Sequence, residues 1–413
     1  MKLERLYVDI DNVAFDNRSY IDGHTLHVSK DELEKVVSSE AFSKVEISIA
    51  VPGTNTRIIN IGDIVQPTIK LDDEGDTFPG VIGKMRTVGR GRSLMLRNIA
   101  VSEVVEMPVD IPSILDLSKV TVEAAYIAGY YHVTIDAFPA EGISRTVYLG
   151  SLHTASKKLA RHLAGLAKAC TPDETEEFTL ERHNLEGLPK IAYLCDVFCH
   201  RPYTDALVYG ETMGESLPII LHPNEIIDGA VLNRDYDNST NADPTYVWQN
   251  HPIIFELYRR HGIDVNFVGV VLNNVHHTVE SKLRNATMAA SMVHNQLKAE
   301  GCIITKEGGG HPQIDVGLAA DVLEGEYGIK TTLVLLGLSN ETNAQVIFKS
   351  KYTDAIVSTG AAVVLSLPAA DQVIGSSPDT RYGNPLGPMT IALRSMHGAQ
   401  SQMGWTRYGA QRI

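Results

Sequence analysis

The chain has 413 residues, 44% hydrophobic and 21% charged, with Gly 33 and Pro 18 along its length, which excludes disorder and fibrous repeats and leaves room for two or three domains. Asp and Glu number 50 against 36 Lys and Arg, a net charge of −14, so the surface repels phosphate backbones and anionic membranes, and neither nucleic acid nor a membrane is expected as a partner. Four cysteines (Cys170, Cys195, Cys199, Cys302) in a chain without an apolar run of signal-peptide or membrane-span length point to a reducing compartment, the cytoplasm.

The first 145 residues read mostly as strands. Leu6 to Ile10, Val45 to Val51, Val120 to Ala128 and Tyr131 to Phe138 are β-branched or alternating runs bounded by Gly, Pro, Asp or Asn. Between them, Gly89-Arg90-Gly91-Arg92 is a glycine-punctuated basic turn that reads either as a solvated loop or as a contact for an anion or partner. From Ser151 the period changes: Leu152, Ala155, Leu159, Leu163, Leu166 and Cys170 recur at helical spacing until Thr171-Pro172.

Strands and helices then alternate: a strand Lys190 to Leu194, a strand Leu217 to Leu221, a helix Thr245 to Arg260, and a strand Asn266 to Leu272. A helix Val279 to Ala299 ends at Gly301, a strand Cys302 to Lys306 follows, and a helix Ile314 to Glu326 ends at Gly328, both glycines suiting left-handed caps. Strands Thr331 to Leu336 and Ala355 to Ser358 come next, and the tail from Ser376 resists assignment. The expected fold is α/β, with a β-rich N-terminal domain over 1–145 and a Rossmann-like, mostly parallel α/β region over 146–413, divisible at about 265.

Ligands of an open parallel sheet bind outside the carboxyl ends of its strands, and that rule selects candidates. Cys195, Cys199 and His200 follow one strand, His222, Asn224 and Glu225 the next, Asn273, His276 and His277 a third, Glu307 and His311 a fourth, and Asn340 and Glu341 a fifth ending near Leu338. Glu307, His311, His276 and His277 are candidate acid/base residues, and Cys195, Cys199, His200, His222 and His311 are candidate ligands for Zn or another divalent metal. Cys195 and Cys199 read equally as small buried apolar residues, and His276 and His277 as solvated loop residues. Gly308-Gly309-Gly310 before Pro312 allows a ligand to approach backbone at a helix start, so these glycines and Asn273 are substrate-binding candidates. The segment lacks the lysine and Ser/Thr of a P-loop, and a nucleotide does not fit.

Nine segments in order carry a resemblance: Phe78-Pro79-Gly80, Thr87-Val88-Gly89-Arg90-Gly91-Arg92, Leu188-Pro189-Lys190-Ile191, Asp228-Gly229-Ala230, Pro244-Thr245-Tyr246-Val247, Tyr258 with His261-Gly262, Asn266-Phe267-Val268-Gly269-Val270, Val373-Ile374-Gly375, and Gly398-Ala399 with Met403-Gly404. Together they resemble the component B proprotein of glycine, sarcosine and betaine reductases, and more distantly the D-proline reductase proprotein. The resemblance implies a partner subunit and a chain cut at a cysteine that becomes a pyruvoyl group, whose ketone condenses with a substrate amine. It places that cysteine between the Asp-Gly-Ala and Pro-Thr-Tyr segments, where this chain has Val231 to Asp243 without a cysteine. Ser239, after Asn238, is the residue left there for an equivalent acyl shift, although Asn-Ser-Thr-Asn also reads as plain loop.

A pyruvoyl cofactor is therefore not expected. The sequence points to a non-pyruvoyl homologue that pairs with a second component-B-like subunit and acts on a C–N bond of a small amine, amide or N-heterocycle. A metal-dependent C–N hydrolase or lyase and a non-catalytic scaffold subunit are the alternatives.

Overall fold

Alternation of buried and half-exposed side chains carries Lys2–Asp9 into a four-stranded sheet, parallel to Gly91–Arg97 and antiparallel to Glu174–Thr179. A second four-stranded sheet orders Phe42–Ala50, Tyr131–Pro139, Ile99–Val105 and Ile61–Val65. The computed structural model describes residues 1–73, 75–108, 113–199, 205–233, 243–335, 350–353, 355–359, 364–376, 383–399, 401–404 and 411–412.

The helix expected from Ser151 begins earlier, as α1 (Arg145–Leu166), where the Ser144 hydroxyl accepts the Val147 N–H. Its apolar face, including Leu152, Leu159 and Leu163, packs in one core with Val101, Val133 and Ile135 of the second sheet. Helix α1 and the Glu174–Thr179 strand thus join the N-terminal sheets. The strand expected over Val120 to Ala128 is instead a helix, Lys119–Ala124, and a 3-10 turn, Ile127–Gly129. The Asp116 carboxylate, buried and paired with Arg57 at 2.8 Å, accepts the Ser118 N–H and the Thr121 hydroxyl, each at 2.9 Å. This local bonding overrides the β-branched run.

The C-terminal region is built on β1 (Lys190–Val197), β2 (Asn266–Asn274), β3 (Gly301–Lys306), β4 (Lys330–Leu335) and β5 (Ile356–Ser358), all parallel, in the order β2-β1-β3-β4-β5. The winding reverses between β1 and β3. Two antiparallel strands, Ile219–Leu221 and Gln411–Arg412, flank them, so the sheet is mixed. Helices α2 (Val279–Ser291) and α3 (Pro312–Tyr327) cover one face, with Ala286, Ala289, Val316 and Ala319 packed on Ala192, Leu194, Val271 and Ile304. The other face, with Tyr193, Cys195 and Val197, shares a core with Ile58, Ile59 and Ala100 of the N-terminal sheets.

Several boundaries differ from expectation. The helix over Thr245 to Arg260 is two helices, Thr245–Gln249 and Pro252–Arg260, because proline suits a first turn and breaks an interior. The long helix after β2 ends in a wide turn at 292–296, and Lys298, with φ 53°, takes the left-handed position expected of Gly301, which opens β3. Gly328, with φ 66°, caps α3 as expected. No helix among the described residues is long and apolar enough to cross a membrane.

Candidate functional site

Adjacent parallel strands place in-register residues side by side on one face, and at the carboxyl end of the sheet this aligns Asn273 of β2, Asp196 of β1 and Lys306 of β3. Asn273 donates to Asp196 Oδ1 at 2.7 Å and accepts from Asn285 Nδ2 of α2 at 3.0 Å. Above this tier, Lys282 of α2 pairs with Asp315 in the first turn of α3 and lies 3.1 Å from His311 Nδ1. Asp196 is fully buried and its Oδ2 has no partner among the described residues. Burial, then the neighbouring Asp315, pushes its carboxyl up to about 7.

Glu307, next along the chain, turns to the opposite face. Its Oε2 accepts the Phe198 N–H at 3.0 Å, and its Oε1 accepts Asn233 Nδ2 at 2.9 Å and the Asp243 N–H at 2.8 Å. Asn233 Nδ2 also reaches the Asp243 carbonyl at 2.8 Å, and the Asn233 N–H donates to Thr245 Oγ1 at 3.0 Å. One carboxyl thus closes the neck of the interval that lacks the cysteine. Burial, reinforced by Asp243, pushes Glu307 up to about 8 against the N–H donors that favour its charge. Asp243, which accepts the Ser401 hydroxyl at 3.1 Å, is pushed up by burial to about 7.

Of the three glycines, only Gly308 is closely approached. A Cβ at Gly308, where φ is 81°, would stand 2.4 Å from the Phe198 ring, whereas nothing lies within 4 Å of one at Gly309 or Gly310. His277 reaches the same mouth, its ring 5.9 Å from that of His311. His276 is nearly buried, with no partner for Nε2 among the described residues, and burial and then Arg284 lower its affinity for a proton.

Among the described residues, the expected metal set is not brought together. Cys195 points to the face away from Asp196, where it accepts from Thr305 Oγ1 at 3.5 Å and lies 3.9 Å from Met403 Sδ, and burial pushes its thiol up. Cys199 is buried in the same core. His222 lies toward the amino edge, because the Ile219–Leu221 strand runs antiparallel to β2, a direction that an apolar run does not encode. There it caps Pro223–Glu225, its Nδ1 accepting the Asn224 N–H at 3.2 Å, while Asn224 Nδ2 donates to the Gly89 and Phe178 carbonyls. His200, Ser239, Asn340 and Glu341 lie outside the described residues.

Sequence reasoning passed over Asp196, Lys306 and Asp243, although the first two obey the strand-end rule. It also missed Lys282 and Asp315, which only helix packing brings together. A second buried cluster escaped it entirely: Lys157 Nζ lies 2.6 Å from Asp63 Oδ2, 2.9 Å from Glu103 Oε1 and 2.7 Å from His153 Nδ1. Among the described residues, Asp63, Glu103 and His153 form the one group of three such side chains close enough to hold a metal ion. The Lys157 ammonium bonds to all three. Asp63 also accepts the Thr245 N–H and hydroxyl at 2.8 and 2.7 Å, tying this cluster to the same neck.

The chain is similar over nearly its full length to proteins of one kind. It is 29% identical over 422 residues, covering 98% of both chains, to the glycine reductase complex component B subunits alpha and beta of Peptoclostridium acidaminophilum. It is 27% identical over 430 residues, covering all of both chains, to the same component of Acetoanaerobium sticklandii. The sarcosine reductase complex component B subunit alpha of Peptoclostridium acidaminophilum is 27% identical over 91% of this chain and 89% of its own. No solved structure matches. The family model described as glycine/sarcosine/betaine reductase component B subunits matches residues 1–411, and the chain belongs to that family.

Proposed function

We propose that this is an uncleaved, non-pyruvoyl component B subunit of a reductase complex, acting on a C–N bond of a small amine, amide or N-heterocycle at the carboxyl edge of the β1–β3 sheet. The observation that carries the reading is the neck: Glu307 holds both Asn233 and Asp243, the residues bounding an interval that has no cysteine. Three of the four cysteines are buried in the cores and Cys170 follows α1, so none fits as the precursor of a pyruvoyl group in that interval.

The relatives' names, which place them in glycine, sarcosine and betaine reductase complexes, support a small amine substrate and a partner subunit. Burial pushes Asp196 and Asp243 up to about 7 and Glu307 to about 8, which suits an edge that delivers a proton to a departing nitrogen. Lys282 and His311 stand at its mouth. The exposed Arg90 and Arg92, on a segment clamped through the Gly89 N–H to Asp228 at 2.7 Å, offer the partner a basic contact on an acidic chain. Co-expression with a second component-B-like subunit should yield a complex that carries the turnover. Full turnover by the chain alone, as a monomer, would refute the reading.

A further inference from the structure

We infer that Glu106 and Asp136 are a proton-sharing carboxyl pair that clasps the C-terminal chain at Ser376, closed while one proton lies between them and opened when that proton is lost. The pair stands on the second sheet, away from the carboxyl edge, and does not depend on the reading given to that edge.

Three adjacent strands bring the acids together. Phe42–Ala50, Tyr131–Pro139 and Ile99–Val105 lie side by side, with Asp136 directly opposite Glu46 and Glu106 following Val105, the partner of Ala137. The Glu106 and Asp136 carboxyls are within hydrogen-bond reach of each other, and two carboxyls bond only when one of them carries a proton. Asp136 is 7% exposed and its Oδ1 finds no donor among the described residues, so its neutral form is favoured. The groups around the pair do not offset its charge. Lys44 is paired with Glu46 and lies over the Phe138 ring, Lys30 acts on Glu46 and Glu34 on Lys44, and Arg145 of α1 donates to the Pro108 carbonyl. The Tyr148 hydroxyl of α1 accepts the Glu106 N–H at 2.8 Å and donates to the Ala137 carbonyl at 2.7 Å. Burial, then Glu106 and Glu46, push Asp136 up to about 8, and burial raises Glu106 as well.

The pair holds a segment from far along the chain. Ser376 donates its N–H to Glu106 Oε1 at 2.8 Å and its hydroxyl to Oε2, while its carbonyl accepts Asn60 Nδ2 at 3.3 Å. Just before it, Gln372–Ile374 joins Thr56–Ile59 as a parallel strand. Gly375, with φ 96°, makes the turn between them, where a Cβ would stand 2.7 Å from the Ile59 carbonyl oxygen. The same C-terminal chain backs the neck, because Ser401 donates to Asp243 and Gln402 accepts from Lys306. When the shared proton passes to solvent, two negative carboxyls face each other beside Glu46. Asp136 is fixed on a central strand, so the half-buried Glu106 turns to water and lets Ser376 go. The ordinary value of the Asp136 carboxyl is 3.8, and between there and about 8 the folded chain holds a proton that the unfolded chain has released. The contribution of the clasp is therefore full below 3.8 and lost as pH rises through about 8.

The test is hydrogen–deuterium exchange of the full-length protein at pH 7, 8 and 9, corrected for the intrinsic rise of exchange with pH and read on peptides covering 372–376 and 131–139. The proton-bearing share of the pair falls from about nine-tenths at pH 7 to about one-tenth at pH 9, so protection over 372–376 should fall about tenfold while 131–139 keeps its own. In Asp136→Asn, whose amide donates to Glu106 without titrating, protection over 372–376 should stay level across that range. Level protection in the parent overturns the inference, and so does an equal fall in Asp136→Asn. A fall shared by 131–139 is unfolding of the sheet rather than release of a clasp, and overturns it as well. The parent's own profile decides the matter if the variant misfolds.

Discussion

Replacing Glu307 with glutamine separates a titrating group from a neutral one at the neck. The native carboxyl is pushed from its ordinary 4.5 to about 8, and 3.5 pH units at about 1.4 kcal/mol each amount to roughly 5 kcal/mol as an upper bound. The sign follows from proton counts. Between pH 4.5 and 8 the native state binds more protons at this group than the unfolded chain, so its contribution to stability falls as pH rises and is lowest above 8. Glutamine lacks that dependence. It keeps a carbonyl for Asn233 and Asp243 but turns an NH₂ toward the Phe198 N–H, which costs about 1–3 kcal/mol. Glu307→Gln should therefore be less stable than the parent at pH 5 and equal or more stable at pH 9. Thermal unfolding at half-unit pH steps reads the crossing as a change in the Tm difference of up to about 6 °C. Parallel profiles would refute the reasoning and mean that Glu307 stays ionised throughout, held by its N–H donors.

Two further outcomes follow from the same geometry. Lys157→Met leaves Asp63 and Glu103 buried without their cation, so it should cost about 3–5 kcal/mol, and adding Asp63→Asn should recover part of the lost Tm; an unchanged Tm in the single variant would contradict the charge assignment. His311→Ala should lower turnover of the assembled complex by on the order of a hundredfold while leaving Tm nearly unchanged, as loss of a proton-handling group at a mouth does; normal turnover would remove His311 from the site.

The parts of the fold legible in the sequence were those written in local periodicity. The apolar repeat of α1, the short runs of β1 to β4 and the glycine cap of α3 announced themselves, and the strand-end rule led to Glu307 and His311. What escaped depends on neighbours distant in sequence. The direction of Ile219–Leu221 decides that His222 lies toward the other edge, yet an apolar triplet reads alike in both directions. Lys157 meets Asp63 across 94 residues, and Glu307 meets Asn233 across 74. Val120 to Val122 favours a strand by propensity, but Asp116 bonds the turn that starts a helix there. Lys306 ends a strand that the sequence marks, but only the packing shows its amine held by the Gly308 carbonyl and Gln402.

The central claim is that a component B subunit keeps the neck without being cut inside it. Denaturing mass spectrometry of the purified protein, with and without phenylhydrazine, tests it most directly. The account predicts one species near 45.1 kDa that gains no hydrazone. Two fragments that sum to the chain, with a hydrazine-reactive carbonyl at a new end within 234–242, would contradict it.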